Sequence, residues 1–283
     1  TNRRAYFTAA TARSMISSNK RKNENNDTHT RRIKNKSNMP KYQKVLLIIF
    51  ILVFIISGII LVRWYYNATK AEEKYQELSN EVTKVEDEEE VIDFEKLKSI
   101  NEEVVGWIKI EGTTIDYPIM QTTNNDYYLR KDIYNNYEQC GSIFLDYKNS
   151  SSFTDKNIVV YGHHIKKGIM FADLIKIYDG SLGNDVIINI YTPEKTMNFK
   201  VFSSYETEPE DYSINTNIQE GNYLEFVNTL KQRSKNNFNA EFTNSNQILT
   251  LSSCDSSGKN RVLVHSALEE VKIEALGAFG NNA

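Results

Sequence analysis

Cys254, His163 and Arg261 are the residues of this 283-residue chain whose chemistry combines into covalent catalysis. A cysteine thiolate attacks carbonyl carbon when a neighbouring base takes and returns its proton. His29 lies in a basic N-terminal stretch, which leaves His163, His164 and His265 as bases. Tyr161-Gly162-His163-His164 follows an apolar run, and loops at strand ends are where functional side chains concentrate. His265 sits within another apolar run and reads as structural. Cys254 closes the run 247–253 (QILTLSS), the turn-like DSSGKN follows, and Arg261 opens RVLVHSAL. A hairpin of this kind brings Cys254 and Arg261 to neighbouring strand ends. A permanently charged guanidinium with fixed donors suits an oxyanion or a substrate carbonyl there.

Each of these residues also has a plainer reading. A lone cysteine is commonly a small buried hydrophobe. A lone arginine is commonly a surface charge, and Gly-His-His is a turn or a metal pair. Cys140, just before Gly141, reads as a buried turn residue, and a Cys140–Cys254 disulfide is the remaining option outside a cell. Two cysteines make no disulfide framework, zinc ribbon or CxxC pair.

The elements that must position these residues begin with a membrane segment. Residues 45–62 (VLLIIFILVFIISGIILV) carry no charge, and as a helix they span about 27 Å, close to the hydrocarbon thickness of a bilayer. Tyr42 and Lys44 precede them, and Arg63, Trp64, Tyr65 and Tyr66 follow, as interface residues do. The run has no polar face and is longer than a signal-peptide core, and no convincing cleavage site follows. Residues 1–44 hold 12 Lys/Arg against 2 Asp/Glu, so the overall net charge of -3 describes neither half of the chain. The positive-inside rule keeps this tail cytoplasmic and puts everything after Arg63 outside. Its polar, Asn/Ser/Thr-rich composition predicts disorder. Topogenic charge already accounts for its basic character, so nucleic acid is not an expected partner.

Residues 63–90 read as a charged juxtamembrane helix and linker, ending in a solvated acidic stretch at 86–90. Phe94, Leu97, Ile100 and Val104 predict a second amphipathic helix. Short β-rich runs then follow at 107–110, 114–119, 142–145, 157–161, 185–191, 196–206, 247–252 and 261–267, separated by turn residues. Helices are expected over 170–178 and, from Tyr223, Leu224, Phe226, Val227 and Leu230, over 221–234. Many short strands with few long helices predict a mainly β chain, folded as a closed barrel or a sandwich.

Thr250-Leu251-Ser252-Ser253-Cys254 resembles the TLxTC signature of sortases, the cysteine transpeptidases of Gram-positive cell walls, with Ser253 where threonine is usual. Arg261 matches the family's downstream arginine, and His163 its histidine. VVGWIKIEGTTIDYPIMQ, DYYL, GSIFLDYKN and NIVVYGHHIKKGIMFADL resemble class B members, over roughly residues 91–272. The resemblance implies an eight-stranded sortase-type barrel with an N-terminal helical extension and one late amphipathic helix. It divides the chain into a tail (1–44), an anchor (45–62), a linker (63–90), a catalytic domain (91–272) and a C-terminal tail (273–283).

The resemblance implies a membrane-anchored enzyme on the outer face of the cell. It would cleave a C-terminal sorting signal through a thioacyl intermediate on Cys254. It would then pass the acyl group to an amine of the lipid-linked peptidoglycan precursor. His163 would be the acid and base, and Arg261 the oxyanion partner, with no metal or organic cofactor. Met170 and Phe171 would pack as core or groove wall. Ser252 is placed in the substrate groove, with a plain strand role as the alternative. Asp255 could orient His163 or Arg261, or merely start a turn. A cysteine protease releasing its product to water, and a non-catalytic surface-binding module, are the competing readings.

Overall fold

The structure, a computed structural model, describes residues 39–86, 89–165, 168–218, 220–240, 246–254 and 259–273. The predicted tails at 1–38 and 274–283, and Asp255, lie outside them.

The chain divides at Arg63 and Trp64. Residues up to Arg63 contribute the first part of α1 (Lys41–Val82), whose large apolar side chains are exposed. By length and composition α1 is apolar enough to cross a membrane. From Trp64 onward α1 buries Ala71, Tyr75, Leu78 and Val82, a stripe at helical spacing. β1 (Thr83–Glu86) pairs with β2 (Glu89–Ile92); residues 87 and 88 of the acidic stretch expected to be solvated lie outside the described residues. Glu90 is drawn in by Lys109, at 2.5 Å. α2 (Phe94–Ile100) starts at Asp93, whose carboxylate accepts from the Lys96 N–H at 2.9 Å. It stops short of the predicted Val104. Asn101 is extended because its side chain donates to the Ile133 carbonyl and accepts from the Glu103 N–H. Val104 thus opens a strand.

Eight strands form a closed barrel: β3 (Val104–Ile110), β4 (Asp116–Met120), β5 (Ile143–Leu145), β6 (Asn157–Gly162), β9 (Ile187–Tyr191), β10 (Lys195–Thr207), β11 (Ile248–Cys254) and β12 (Arg261–Ile273). The order around the barrel is β10, β12, β11, β6, β5, β4, β3, β9. β4 with β5 and β6 with β11 are parallel; the other pairs are antiparallel. Closure removes exposed edges. The eight strands fall on the expected runs to within three residues, except that β12 continues past the expected 267 to Ile273, and the expected closed barrel is the fold found.

Between β6 and β9 lie the short pair β7 (His164–Ile165) and β8 (Ile169–Met170), a 3-10 turn at Phe171–Asp173, and α3 (Leu174–Tyr178). Met170 and Phe171 are fully buried and belong to the core. Two apolar clusters form. One includes Trp107, Ile108, Ile158, Val160, Leu249, Leu251 and Val264. The other packs the late helix α4 (Tyr223–Gln232), through Tyr223, Val227 and Leu230, onto Phe202, Ile248 and Leu263.

His265 is structural, as its place in a strand implied. It is fully buried between the Tyr205 hydroxyl at 3.1 Å and Thr250 Oγ1 at 3.0 Å. Thr250 spends its one proton on Asn157 Oδ1, so His265 Nδ1–H donates to Thr250 and Nε2 accepts from Tyr205. Burial pushes its pKa down to about 3. Below the unfolded value of about 6.5, the unfolded chain binds a proton that the folded chain refuses, so stability falls with pH until about pH 3 is reached. The slope from this one group is about 1.4 kcal/mol per pH unit. His265→Gln is expected to flatten the fall of Tm between pH 6.5 and 4.5; an unchanged slope would show that another group governs it.

Candidate active site

The barrel register brings the ends of three neighbouring strands together. Ser253 pairs with Gly162 across the parallel β11–β6 ladder, so Cys254 and His163 follow at the same end of adjacent strands. Cys254 in turn pairs with Arg261 across the antiparallel β11–β12 ladder. Of Cys254 the structure describes the backbone. The hairpin read from the sequence therefore exists, and β6 adds the histidine to it.

His163 is half-buried, and its Nε2 lies 3.0 Å from the Leu129 carbonyl oxygen. A carbonyl only accepts, so Nε2 carries the hydrogen and Nδ1 is left for proton transfer. Burial holds the imidazole pKa below its usual value. The Leu129 carbonyl opposes that shift, and the cations of Arg130 and Arg261 add to it. His164, by contrast, starts β7 and pairs with Met170. Among the described residues, no cluster of three His, Cys, Asp or Glu side chains is arranged to hold a metal ion.

Arg261 is oriented from outside its own strand. Its Nε donates to the Pro209 carbonyl at 3.2 Å. The segment carrying Pro209 is fastened two residues on, where Arg233 grips the Asp211 carboxylate with both terminal nitrogens, at 3.0 and 2.8 Å. Arg233 also lies over the Tyr205 ring, 4.1 Å from its centroid. Burial works against the Asp211 charge, but Arg233, Ser213 and Thr207 together hold its pKa well below the carboxylate range.

Ser252 is fully buried, and its Oγ has no hydrogen-bond partner among the described residues. An unmet buried hydroxyl costs about 1–3 kcal/mol. Beside it on β6, Tyr161 donates to Asp146 Oδ2 at 3.0 Å, which also accepts from Asn125 at 2.9 Å. Burial and then Asp146 raise the Tyr161 pKa, while Arg261 opposes them.

Cys140 is near this site but unsuited to its chemistry. It is 4% exposed and shares with His163, Arg130 and Glu138 the wall of a cavity of about 110 Å³. Burial, and then the Glu138 carboxylate, push its thiol up to about 12, so at neutral pH it is protonated and inert.

Sequence reasoning missed the Leu129 carbonyl, Pro209 and the Arg233–Asp211 pair. Backbone acceptors carry no residue-type signal. The nearest hint was DYYL, read only as a family marker.

A sortase domain family model matches residues 108–269. Sortase B of Listeria monocytogenes is 36% identical over 177 residues, covering 61% of this chain and 72% of that protein. The crystal structure of sortase B from Bacillus anthracis in complex with AAEK2 superposes with a TM-score of 0.63 at 32% identity, covering 71% of this chain and 97% of that one. The Staphylococcus aureus sortase B–substrate complex gives 0.61 at 30% identity, covering 71% and 94%. A domain match over more than half of the sequence, with the same barrel and class B relatives at 30–36% identity, means that the chain belongs to the sortase family of cysteine transpeptidases, in its class B branch.

Proposed function

We infer that this sortase is a single-pass membrane enzyme that anchors surface proteins to peptidoglycan, with Cys254, His163 and Arg261 as its reacting residues. The observation that carries the reading is the double register, which sets Cys254 beside both Gly162-His163 and Arg261.

The Cys254 proton passes to His163 Nδ1 as sulfur attacks the scissile carbonyl of a C-terminal sorting signal. Arg261, held by Pro209, stabilises the oxyanion. His163 returns the proton to the leaving amine, the C–N bond breaks, and a thioester to Cys254 remains. An amine of the lipid-linked peptidoglycan precursor then gives its proton to His163 and attacks. The C–S bond breaks, and the thiol is restored. Ser252 Oγ has hydrogen-bonding capacity in reserve for the bound peptide. Sorting-signal peptides as substrates are supported by the substrate complex of the S. aureus relative.

The exposed apolar part of α1 supports the anchor, with the basic 1–44 tail in the cytoplasm and residues 91–272 outside. Tethering keeps the enzyme concentrated where exported substrates and the lipid-linked precursor meet. The test is mass spectrometry of products formed from a sorting-signal peptide with an amine acceptor such as oligoglycine. An amide-linked conjugate that needs the acceptor is expected. Release of free acid alone, at every acceptor concentration, would make the protein a hydrolase.

A further inference from the structure

The stretch between the apolar span and the barrel has the composition of a linker, yet it is built into the neighbourhood of His163. Lys74 and Tyr75 are adjacent on α1. Lys74 Nζ donates to Asp132 Oδ2 at 2.7 Å and to Glu138 Oε2 at 3.5 Å. Burial works against the Lys74 charge, but these carboxylates outweigh it and raise its pKa. The Tyr75 hydroxyl lies 3.3 Å from Ser142 Oγ. Ser142 spends its own proton on the Lys131 carbonyl at 2.7 Å, so Tyr75 is the donor. Asp132, Glu138 and Ser142 all belong to the loop 127–142.

That loop is cross-tied on either side of Leu129. The Ser142 N–H donates to the Tyr128 carbonyl at 3.0 Å, and the Glu138 N–H to the Arg130 carbonyl at 3.0 Å. Arg130 Nη1 donates to the Gln139 carbonyl at 2.6 Å. Gly141, with φ +60°, lets the two limbs close; a Cβ there would lie 2.5 Å from the Tyr128 oxygen and 2.6 Å from the Leu129 oxygen. The Leu129 oxygen is the atom that accepts from His163 Nε2. One hydrogen-bonded path therefore runs from the helix to the imidazole.

We propose that Lys74 and Tyr75 are positioning residues for proton transfer at His163, acting through the 127–142 loop and the Leu129 carbonyl. The segment after the membrane span is thereby part of the active-site frame. This rests on His163 being the acid and base of the reaction. The carbonyl selects the Nε2–H tautomer and sets the ring plane. A displaced carbonyl lets the ring rotate, and removes an acceptor that favours the imidazolium.

The test uses the full-length protein in detergent, comparing Lys74→Met/Tyr75→Phe, Lys74→Arg and His163→Ala. Rates are normalised to folded enzyme. The double variant should lose about tenfold in kcat on a sorting-signal peptide, a part of what general acid–base catalysis supplies, with KM changed less than twofold. The acid limb of its kcat/KM profile should move to lower pH, because loss of the Leu129 acceptor lowers the imidazole pKa. The other groups facing the ring are Arg130, Glu138 and Cys140 from the loop, Arg261 from β12 and the end of β11; because Lys74→Met frees the Glu138 carboxylate, whose charge would oppose the shift, the profiles are compared with Glu138→Gln in both backgrounds. Lys74→Arg should restore most of the rate. Wild-type kcat and an unmoved acid limb in the double variant would overturn the proposal. So would a loss that merely follows the folded fraction with the limb in place. Full turnover by His163→Ala would instead overturn the proposed function.

Discussion

Cys254→Ala is expected to abolish acyl transfer, with kcat lowered about 10⁴-fold or more, since the proposed thioester forms on its sulfur. Intact-mass analysis of the wild type mixed with a sorting-signal peptide should show an acyl adduct that hydroxylamine removes; the variant should show none. The natural control is Cys140→Ala. That thiol is buried and pushed up to about 12, and its contribution is packing in the loop wall. Its removal should leave kcat within about twofold and cost roughly 1 kcal/mol of stability, the usual size for a small buried truncation. Adduct formation by Cys254→Ala, or a collapse of activity in a well-folded Cys140→Ala, would move the nucleophile.

His163→Ala should lower kcat by about 10²- to 10⁴-fold, the range general acid–base catalysis supplies. Its Tm should change little, because the ring is half-buried and its described hydrogen bond is to one carbonyl. The sign of the pH dependence follows from the environment of the ring. Burial, Arg130 and Arg261 hold its pKa below 6.5, so the neutral, proton-accepting form prevails at pH 7. The wild-type kcat/KM should therefore fall on the acid side below pH 6.5, as the coupled thiol–imidazole pair takes up a second proton. In His163→Ala that limb should vanish from the residual rate. An acid limb at the same pH in the variant would assign it to another group.

Strand positions were legible because β-rich runs are separated by turn residues, and α4 because Tyr223, Val227 and Leu230 recur at helical spacing. The Cys254–Arg261 hairpin was legible for the same reason: it is local, with a turn-like DSSGKN between two apolar runs. The place of His163 was not. Its neighbour in space is fixed by β6 lying parallel to β11, and nothing in either strand names its distant partner; the family resemblance supplied it. One local reading gives way to a tertiary contact. The helix predicted to reach Val104 ends at Asn101, whose amide bonds to Ile133 across the fold. The juxtamembrane helix carrying Lys74 and Tyr75 is legible, but their contacts are not, because their partners Asp132 and Ser142 lie far along the chain.

The parallel pairing of β6 with β11 joins segments far apart along the chain. Thr250 and Asn157, bonded across that pair, are 93 residues apart, and β11 lies between β6 and β12 in the closed barrel. A chain emerging N-terminus first can assemble β3, β4, β5 and β6 locally, but the wall that closes the barrel arrives with its last strands. Such late, long-range closure is slow. A chain cut short before β11 would therefore leave β6 without its parallel partner and the barrel open.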